Sequence, residues 1–201
     1  MSLLFETIRI ADGIPQFLEW HEKRMMLARK ETWKMNDPVN LKEVIFTGKD
    51  LSKGIVRCNV VYGPDIRKIS LRRYKKRQIR SLKLVTSDTI DYHLKFRDRS
   101  VFEQLLEQRG TADDIIIVKE GCITDTSLSN LIFWDGKTWH TPSTPLLKGT
   151  TRERLLAEGS ILESRITPKD LEQYTGCKLI NAMRLPEEED LIPVSCIYDQ
   201  D

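Results

Sequence analysis

The chain has 201 residues, of which 40% are hydrophobic, and its formal net charge is +2. This apolar content can bury a core, which excludes disordered and fibrous proteins, and the near-neutral charge excludes an overall attraction to nucleic acid or anionic membranes. Since the sequence contains no apolar run of roughly 18 residues and no signal-peptide core at its start, we expect a cytoplasmic protein without membrane or nucleic-acid partners.

The cysteines and histidines do not follow a metal-binding pattern. The four cysteines contain no CxxC pair, and the three histidines lie far from them in the sequence. A zinc site is therefore not expected. Cysteines this scattered, in a chain without an export signal, are more often free and buried than bridged, so we assign them no chemistry.

The first third of the chain has the pattern of a small α/β unit. Apolar segments on both sides of Asp12-Gly13 predict a hairpin over residues 3–17, because glycine tolerates the positive φ of such turns. Apolar residues on one helical face predict a helix over residues 17–30. We then expect a short helix over 40–46 and two strands, 54–63 and 66–74, joined by a Gly-Pro-Asp turn.

Residues 75–81, KKRQIRS, contain many charges and no apolar alternation, which predicts a hinge between two subdomains. We place the N-terminal subdomain at 1–76, the linker at 77–81 and the C-terminal subdomain at 82–201. The basic run around the hinge contains one interleaved aromatic residue, Tyr74, which is too few for stacking on bases. We therefore interpret this run as a solvated strand and hinge.

The C-terminal subdomain alternates short strands with helices. Strands are expected over residues 82–87, 113–121, 122–134, 137–142 and 178–183. Helices are expected to begin at Ser100 and Thr150, each with a glutamate three residues later that fits a capping box. A further helix should begin at Thr167-Pro168.

Arg24 is the first candidate for chemistry, because it lies on the apolar face of the first predicted helix. A guanidinium group there is costly to desolvate unless an anion meets it. Its head group could reach solvent or pair with a core carboxylate, and from the helix alone this interpretation is the stronger. A phosphate partner would reverse that preference.

Lys95 lies between Leu94 and Phe96, in the loop that leads to the helix at Ser100. Apolar neighbours lower the pKa of a lysine, which suits a Schiff-base lysine that acts as nucleophile and proton carrier. A single lysine in a loop is usually a solvated surface group. The functional interpretation therefore depends on partners elsewhere in the chain.

Residues 121–152 form the most informative segment. Asp125 could pair with a protonated ring nitrogen while Asn130 and nearby hydroxyls hold the loop, or it could form an Asx turn without chemistry. The tripeptide Gly149-Thr150-Thr151 then opens a helix whose unpaired N–H groups and dipole attract phosphate. The segment predicts a cradle for a phosphorylated cofactor.

Taken in order, these motifs resemble the fold type IV family of pyridoxal phosphate enzymes, which includes branched-chain and D-amino acid aminotransferases and aminodeoxychorismate lyase. The resemblance spans nearly the whole chain. It rests on H-x-x-R at His21 to Arg24, the lysine at Lys95, G-x-[IV]-x-E-x-x-x-x-N at Gly121 to Asn130, T-P at Thr141-Pro142, L-L-x-G-[IT]-T-R at Leu146 to Arg152, and the closing P-V region at Ile192 to Val194.

The resemblance implies an α+β fold of two small subdomains, each a mixed or antiparallel sheet packed with helices. It also implies a homodimer that acts on a small amino substrate, which the local basic residues suggest is anionic. The implied cofactor is pyridoxal 5'-phosphate, with Lys95 forming the Schiff base and Asp125 facing the pyridinium nitrogen. The phosphate would be held by Arg24, Thr150 and Thr151, with Asn181 or Ala182 completing its site.

Two departures from the family pattern concern the site. The family acid is usually glutamate, and Asp125 is one methylene shorter, so we expect either a closer backbone or a looser contact. Family members often have an aromatic residue five positions after the lysine, where this chain has Ser100. The N-terminal part is also shorter than in most family aminotransferases. The substrate pocket is therefore less transferable than the cofactor site.

Three functions remain open from the sequence. The compact chain favours a lyase similar to aminodeoxychorismate lyase, which releases 4-aminobenzoate and pyruvate and needs a single half-reaction. An amino acid aminotransferase of the branched-chain or D-amino acid type would use the same lysine. The third alternative is a cofactor-free binding protein on a decayed enzyme fold, against which the retained Lys95 argues.

Overall fold

The structure is a computed structural model that describes residues 3–45 and 51–199. Within these ranges, no helix is both long enough and apolar enough to cross a membrane. The chain forms two compact units. Unit 1 contains residues 1–76 and 94–98, and unit 2 contains residues 77–93 and 99–201.

Unit 1 is built on an antiparallel sheet with the strand order β2-β1-β3-β4. Its elements are β1 (Leu4–Ala11), β2 (Ile14–Pro15), α1 (Leu18–Trp33), α2 (Leu41–Val44), β3 (Ile55–Tyr62) and β4 (Ile66–Arg73). Alternate residues of β1 and β3 are buried, as the two-residue period of a strand requires. They pack with Met25 and Ala28 of α1 in one apolar core.

The structure confirms the predicted elements of this first part. Asp12 and Gly13 have φ values of 48° and 81°, as the turn of a two-residue hairpin demands. Helix α1 continues past residue 30 to Trp33, and Lys34 ends it in the left-handed conformation. The predicted short helix is α2, and the last residue predicted for it, residue 46, lies outside the described residues.

Unit 2 contains two sheets that share one apolar core. Its strands and α-helices are β5 (Leu82–Thr86), α3 (Ser100–Leu106), β6 (Asp114–Lys119), β7 (Cys122–Thr126), β8 (Asn130–Trp134), β9 (Trp139–Pro142), α4 (Thr150–Ala157), β10 (Leu162–Ser164), β11 (Gly176–Ile180), β12 (Ile192–Pro193) and β13 (Ile197–Tyr198). The strand orders are β13-β5-β6-β7 and β10-β9-β8-β11-β12. Both sheets are mixed, because β5 pairs in parallel with β6 and β13, and β9 pairs in parallel with β10. The predicted α+β class is confirmed.

The predicted single strand over residues 122–134 is wrong, because a turn divides it into β7 and β8. Thr126 makes this turn: its Oγ1 accepts hydrogen bonds from the N–H groups of Leu128 and Ser129, at 3.3 and 3.0 Å. Small polar residues continue the strand-like pattern through the turn, so periodicity alone does not reveal the break.

The two capping boxes predicted at Ser100 and Thr150 are also wrong. The N-cap residues are Arg99 and Gly149, so Ser100 and Thr150 already lie inside α3 and α4. At the third predicted helix start, Asp170 accepts hydrogen bonds from the N–H and the hydroxyl of Thr167, at 2.8 and 2.7 Å. That start is confirmed, although the helix is a 3-10 helix over Pro168–Gln173.

Candidate active site

Arg24 in unit 1 is paired with a buried carboxylate. Its Nε and Nη2 lie 2.9 and 2.5 Å from the two carboxylate oxygens of Glu6 on β1, which is a bidentate arrangement. Nδ1 of His21 on α1 lies 2.7 Å from Glu6 Oε2. The Glu6 side chain is 0% exposed, whereas Arg24 keeps 16% of its side chain exposed. The core carboxylate considered in the sequence analysis is therefore Glu6.

The contacts among Glu6, His21 and Arg24 determine which of these side chains are charged. Burial by itself raises the pKa of Glu6, but the charge of Arg24 and the hydrogen bond with His21 outweigh burial and lower this pKa to about 2. Burial lowers the pKa of His21; the hydrogen bond with Glu6 opposes that effect, and the charges of Arg24 and Lys95 add to it. At neutral pH, Glu6 is therefore ionised and His21 is neutral, with Nδ1–H donating to Glu6.

Lys95 belongs to unit 1, where β1 holds its backbone. The N–H of Phe5 donates to the carbonyl of Lys95 at 3.0 Å, and the N–H of Arg97 donates to the carbonyl of Leu3 at 2.8 Å. Lys95 Nζ lies 4.8 Å from the centroid of the Phe5 ring, within cation–π range. Strand β1 therefore positions Lys95 through Phe5 and pairs with Arg24 through the next residue, Glu6.

Asp125 in unit 2 is a buried carboxylate that ties β7 to the loop before α4. Its Oδ1 accepts a hydrogen bond from Nδ2 of Asn130 at 2.7 Å, and its Oδ2 accepts one from the N–H of Leu147 at 2.9 Å. Burial raises the pKa of Asp125 to about 6, and these hydrogen bonds only partly oppose the increase. The alternative of a local Asx turn is wrong, because the bonded N–H lies 22 residues away.

The loop before α4 fits tightly against Asn130. Nδ2 of Asn130 also donates to the carbonyl of Leu147 at 2.8 Å. A Cβ added at Gly149 would lie 2.0 Å from Asn130 Oδ1, so any side chain there would displace Asn130. Asn130 therefore holds the loop before α4, and it connects Asp125 to the start of α4.

Thr150 and Thr151 are the first two residues of α4 and are 6% and 4% exposed. The first N–H groups of a helix have no acceptor within the helix, and the positive end of its dipole lies there. Hydroxyls, N–H groups and the glycine that precedes them are the groups that a phosphate site uses. The residues at this helix start therefore fit the phosphate of pyridoxal 5'-phosphate.

Asn181 follows β11 and contacts the turn after β7. Its Nδ2 donates to Ser129 Oγ at 2.8 Å and to the carbonyl of Leu128 at 3.2 Å. Its Oδ1 accepts a hydrogen bond from the N–H of Met183 at 2.8 Å. The side chain of Asn181 therefore holds the turn that separates Asp125 from Asn130.

The predicted site residues are divided between the two units. Arg24 and Lys95 belong to unit 1, next to Glu6 and His21. Unit 2 contains the other four, namely Asp125, Thr150, Thr151 and Asn181. Within unit 2, Asn130 connects Asp125 with the start of α4, and the turn after β7 connects Asp125 with Asn181.

The sequence analysis did not identify Glu6 as part of the site. The signal was present, because Glu6 lies on the buried face of β1 together with Leu4 and Ile8. A carboxylate on the apolar face of a strand needs a cationic partner, and Arg24 is the cation on the apolar face of the helix. Pairing the charged residue on the apolar face of the strand with the one on the apolar face of the helix would have predicted the contact between Glu6 and Arg24.

Two arginines in unit 2 also support the site. Arg99 donates to the carbonyl of Ser127, and its guanidinium lies 4.3 Å from the ring centroid of Phe102. Arg152, which is 1% exposed, donates to the carbonyl of Pro142 at 3.0 Å and anchors α4 to β9. The sequence analysis quoted Arg152 as part of a motif but gave it no role, because its contact with β9 is made to a backbone carbonyl.

A cavity of about 530 Å³ opens in unit 2 beside β7. Cys122 and Thr124 of β7 line it, whereas Ile123 packs into the apolar core, as strand alternation requires. The cavity therefore lies on the face of β7 opposite to Ile123. Its lining also contains Ile90, Asp91, Tyr92, His93, Lys119, Glu120, Thr144, Pro145, Leu146 and Arg165.

Known proteins resemble this chain over most of its length. Residues 93–186 match the family model described as amino-transferase class IV. An uncharacterized protein of Haemophilus influenzae is 39% identical over 185 residues, which are 91% of this chain and 98% of that protein. A proposed 4-amino-4-deoxychorismate lyase from Haemophilus somnus 129pt is 36% identical, with a TM-score of 0.85 over 92% of this chain and 98% of that chain.

A pyridoxal phosphate-bound structure of a hypothetical aminotransferase from Mycobacterium tuberculosis shares the fold. Its TM-score is 0.74 at 17% identity, over 98% of this chain and 81% of that chain. The resemblance to fold type IV enzymes that the sequence motifs suggested is therefore confirmed. The chain belongs to the class IV aminotransferase family, whose members are enzymes of the aminotransferase or lyase type.

Proposed function

We propose that the protein is a pyridoxal phosphate-dependent lyase that acts on 4-amino-4-deoxychorismate and releases 4-aminobenzoate and pyruvate. The observation that supports this reaction most is the 36% identity, over 92% of the chain, to the proposed lyase from Haemophilus somnus. Similarity at this level extends beyond a shared fold. The structures below a quarter identity support the fold alone.

The chemical groups of the site suit this cofactor. In unit 2, Thr150, Thr151 and the N–H groups that open α4 would bind a phosphate group. In unit 1, the guanidinium of Arg24 is suited to the same kind of group. Asp125 would face the pyridine nitrogen. Burial raises the pKa of Asp125 to about 6, and a protonated ring nitrogen next to the carboxylate would favour its ionised form. The Lys95 amine would bind the cofactor aldehyde.

When bound, pyridoxal phosphate supplies an electron sink for the carbanion formed next to the substrate nitrogen. Lys95 Nζ, once displaced by the substrate amine, would take a proton from the substrate ring. Aromatisation of that ring then favours loss of pyruvate.

The test measures both reactions on one preparation. Protein reconstituted with pyridoxal phosphate is mixed with 4-amino-4-deoxychorismate, and pyruvate and 4-aminobenzoate are quantified; single amino acids are tested in parallel for keto acid formation. We expect equal amounts of the two lyase products. Keto acids from amino acids without lyase products would identify an aminotransferase, and failure to take up the cofactor would contradict both functions.

A further inference from the structure

We propose that Glu6 is a positioning residue of the cofactor site, which holds the Arg24 guanidinium in place for an incoming phosphate group. The inference rests on the proposed function, because Arg24 can act as a phosphate ligand only if the protein binds pyridoxal phosphate. Glu6 would act through Arg24.

The geometry of the pair supports a positioning role. Glu6 lies on β1, where it pairs with Val60 of β3, and its side chain is 0% exposed. Both carboxylate oxygens contact Arg24, at 2.9 and 2.5 Å. A bidentate contact fixes the plane of the guanidinium as well as its location. Arg24 is therefore oriented before any ligand arrives.

A second contact fixes the carboxylate itself. His21 Nδ1 lies 2.7 Å from Glu6 Oε2, the same oxygen that receives Arg24 Nη2. Because His21 is neutral and buried, it adds a directed hydrogen bond without adding a cation. The carboxylate is thereby held from two positions of α1, and it cannot rotate away from Arg24 without losing both.

Stability alone does not account for this arrangement. A buried ion pair contributes little compared with apolar side chains of similar volume, because desolvation of two charges offsets their attraction. Arg24 also remains 16% exposed, although its partner is fully buried. The pair therefore presents a fixed cation at the edge of the core, which is the property that an anion site requires.

The test compares the affinities for pyridoxal phosphate and for pyridoxal, which lacks the phosphate. Glu6→Gln is expected to weaken pyridoxal phosphate binding by about tenfold or more, as loss of a ligand's outer partner commonly does, and to change pyridoxal binding by less than about twofold. Arg24→Gln should show the same selective loss. The double variant should bind no more weakly than Arg24→Gln alone, because Glu6 acts through Arg24.

Asp37→Asn is the matched control, because Asp37 pairs with Arg29 of the same helix at 2.7 Å. It should leave both affinities unchanged. If Glu6→Gln does not fold, Glu6→Asp retains the charge but shortens the side chain, and the same selective loss is expected.

The possible outcomes separate the inference from the proposed function. Equal affinity of the wild type and the Glu6 variants for pyridoxal phosphate, or a parallel loss for both ligands, would overturn the positioning role alone. A wild-type protein that binds neither ligand would overturn the proposed function, and the inference with it.

Discussion

At the residue scale, Asp125 shows how a shorter acid can occupy the family's glutamate position. Asn130 and the N–H of Leu147 each bind one of its oxygens, at 2.7 and 2.9 Å. The first contact comes from the start of β8 and the second from the loop before α4, so the carboxylate is fixed although its side chain is one methylene shorter. We propose that this fixed carboxylate is directed at the cofactor ring nitrogen.

Asp125→Asn tests this assignment. An amide retains the size of the side chain but cannot supply the negative charge that keeps a ring nitrogen protonated. We expect cofactor affinity to change little and turnover to fall roughly a hundredfold, the typical effect of losing a charge-stabilising group. Steady-state kinetics with the lyase substrate measure this. Asp135→Asn, in the turn between β8 and β9, is the control, and unchanged turnover in Asp125→Asn would contradict the assignment.

Glu6 should make a pH-dependent contribution to stability. Its folded-state pKa of about 2 lies below its ordinary value of 4.5. Its contribution is therefore fully present above pH 4.5 and is lost as the pH falls towards 2. At neutral pH, Glu6→Gln should lower the free energy of unfolding by about 3 kcal/mol, because it leaves a cation without its buried partner.

Urea titrations of the wild type and Glu6→Gln at several pH values check this expectation. Other acids titrate in both proteins, so the informative quantity is the difference between the two free energies of unfolding. This difference should be constant at neutral pH and should shrink below pH 4.5. A difference that stays constant down to pH 2 would show that Glu6 does not carry the charge assigned to it.

At the scale of elements, the start of α4 is the part of the site that depends most on close packing. Gly149 is the N-cap residue, and its φ of −68° and ψ of 144° are accessible to any residue. Glycine is required there because Asn130 occupies the space of a side chain. The sequence indicated a glycine-led phosphate cradle, but it could not show this contact, which joins residues from separate elements.

Gly149→Ala is expected to disturb the site by steric displacement. The added Cβ would lie 2.0 Å from Asn130 Oδ1, so Asn130 must move and loosen its hold on Asp125. We expect a loss of about 1–3 kcal/mol in the free energy of unfolding, typical of overpacking, and weaker cofactor binding.

The matched control for this substitution is Gly63→Ala in the turn between β3 and β4. A Cβ at Gly63 would have its nearest neighbour at 3.6 Å, an ordinary contact distance. Thermal and urea unfolding of both variants provide the comparison. Equal stability of Gly149→Ala and the wild type would show that the position of Asn130 next to Gly149 does not contribute to the stability of the fold.

At the scale of the whole molecule, local patterns were sufficient for most elements. The first hairpin, α1 and the strand pair around Gly63 follow from turn residues and apolar periodicity within a few residues. Contacts between distant segments were not accessible in this way. Residues 94–98 pack in unit 1 because their backbone bonds to β1, and no pattern within that segment indicates this partner.

The same distinction applies to the site. Arg24, Lys95 and Asp125 were identified because each is a polar exception in an apolar or ordered context. Their partners Glu6, Phe5 and Leu147 were not identified. Glu6 contacts Arg24 between a strand and a helix, and Phe5 contacts Lys95 at the edge of the sheet. Leu147 contacts Asp125 through its backbone N–H. In each unit, the candidate residues are therefore supported by residues that the motifs do not include.

The most direct test of the account is to trap the cofactor on its lysine. The protein is incubated with pyridoxal phosphate, reduced with borohydride, digested and examined by peptide mass spectrometry. Reduction converts a Schiff base into a stable secondary amine, so the modified lysine is identified by its peptide. Lys95→Ala removes the expected site, and Lys137→Ala, in the turn between β8 and β9, is the control.

We expect one stoichiometric adduct on Lys95 in the wild type and in Lys137→Ala, and none in Lys95→Ala. An unmodified wild-type protein, or an adduct on another lysine that persists in Lys95→Ala, would contradict the assignment of Lys95 and the function proposed for this chain.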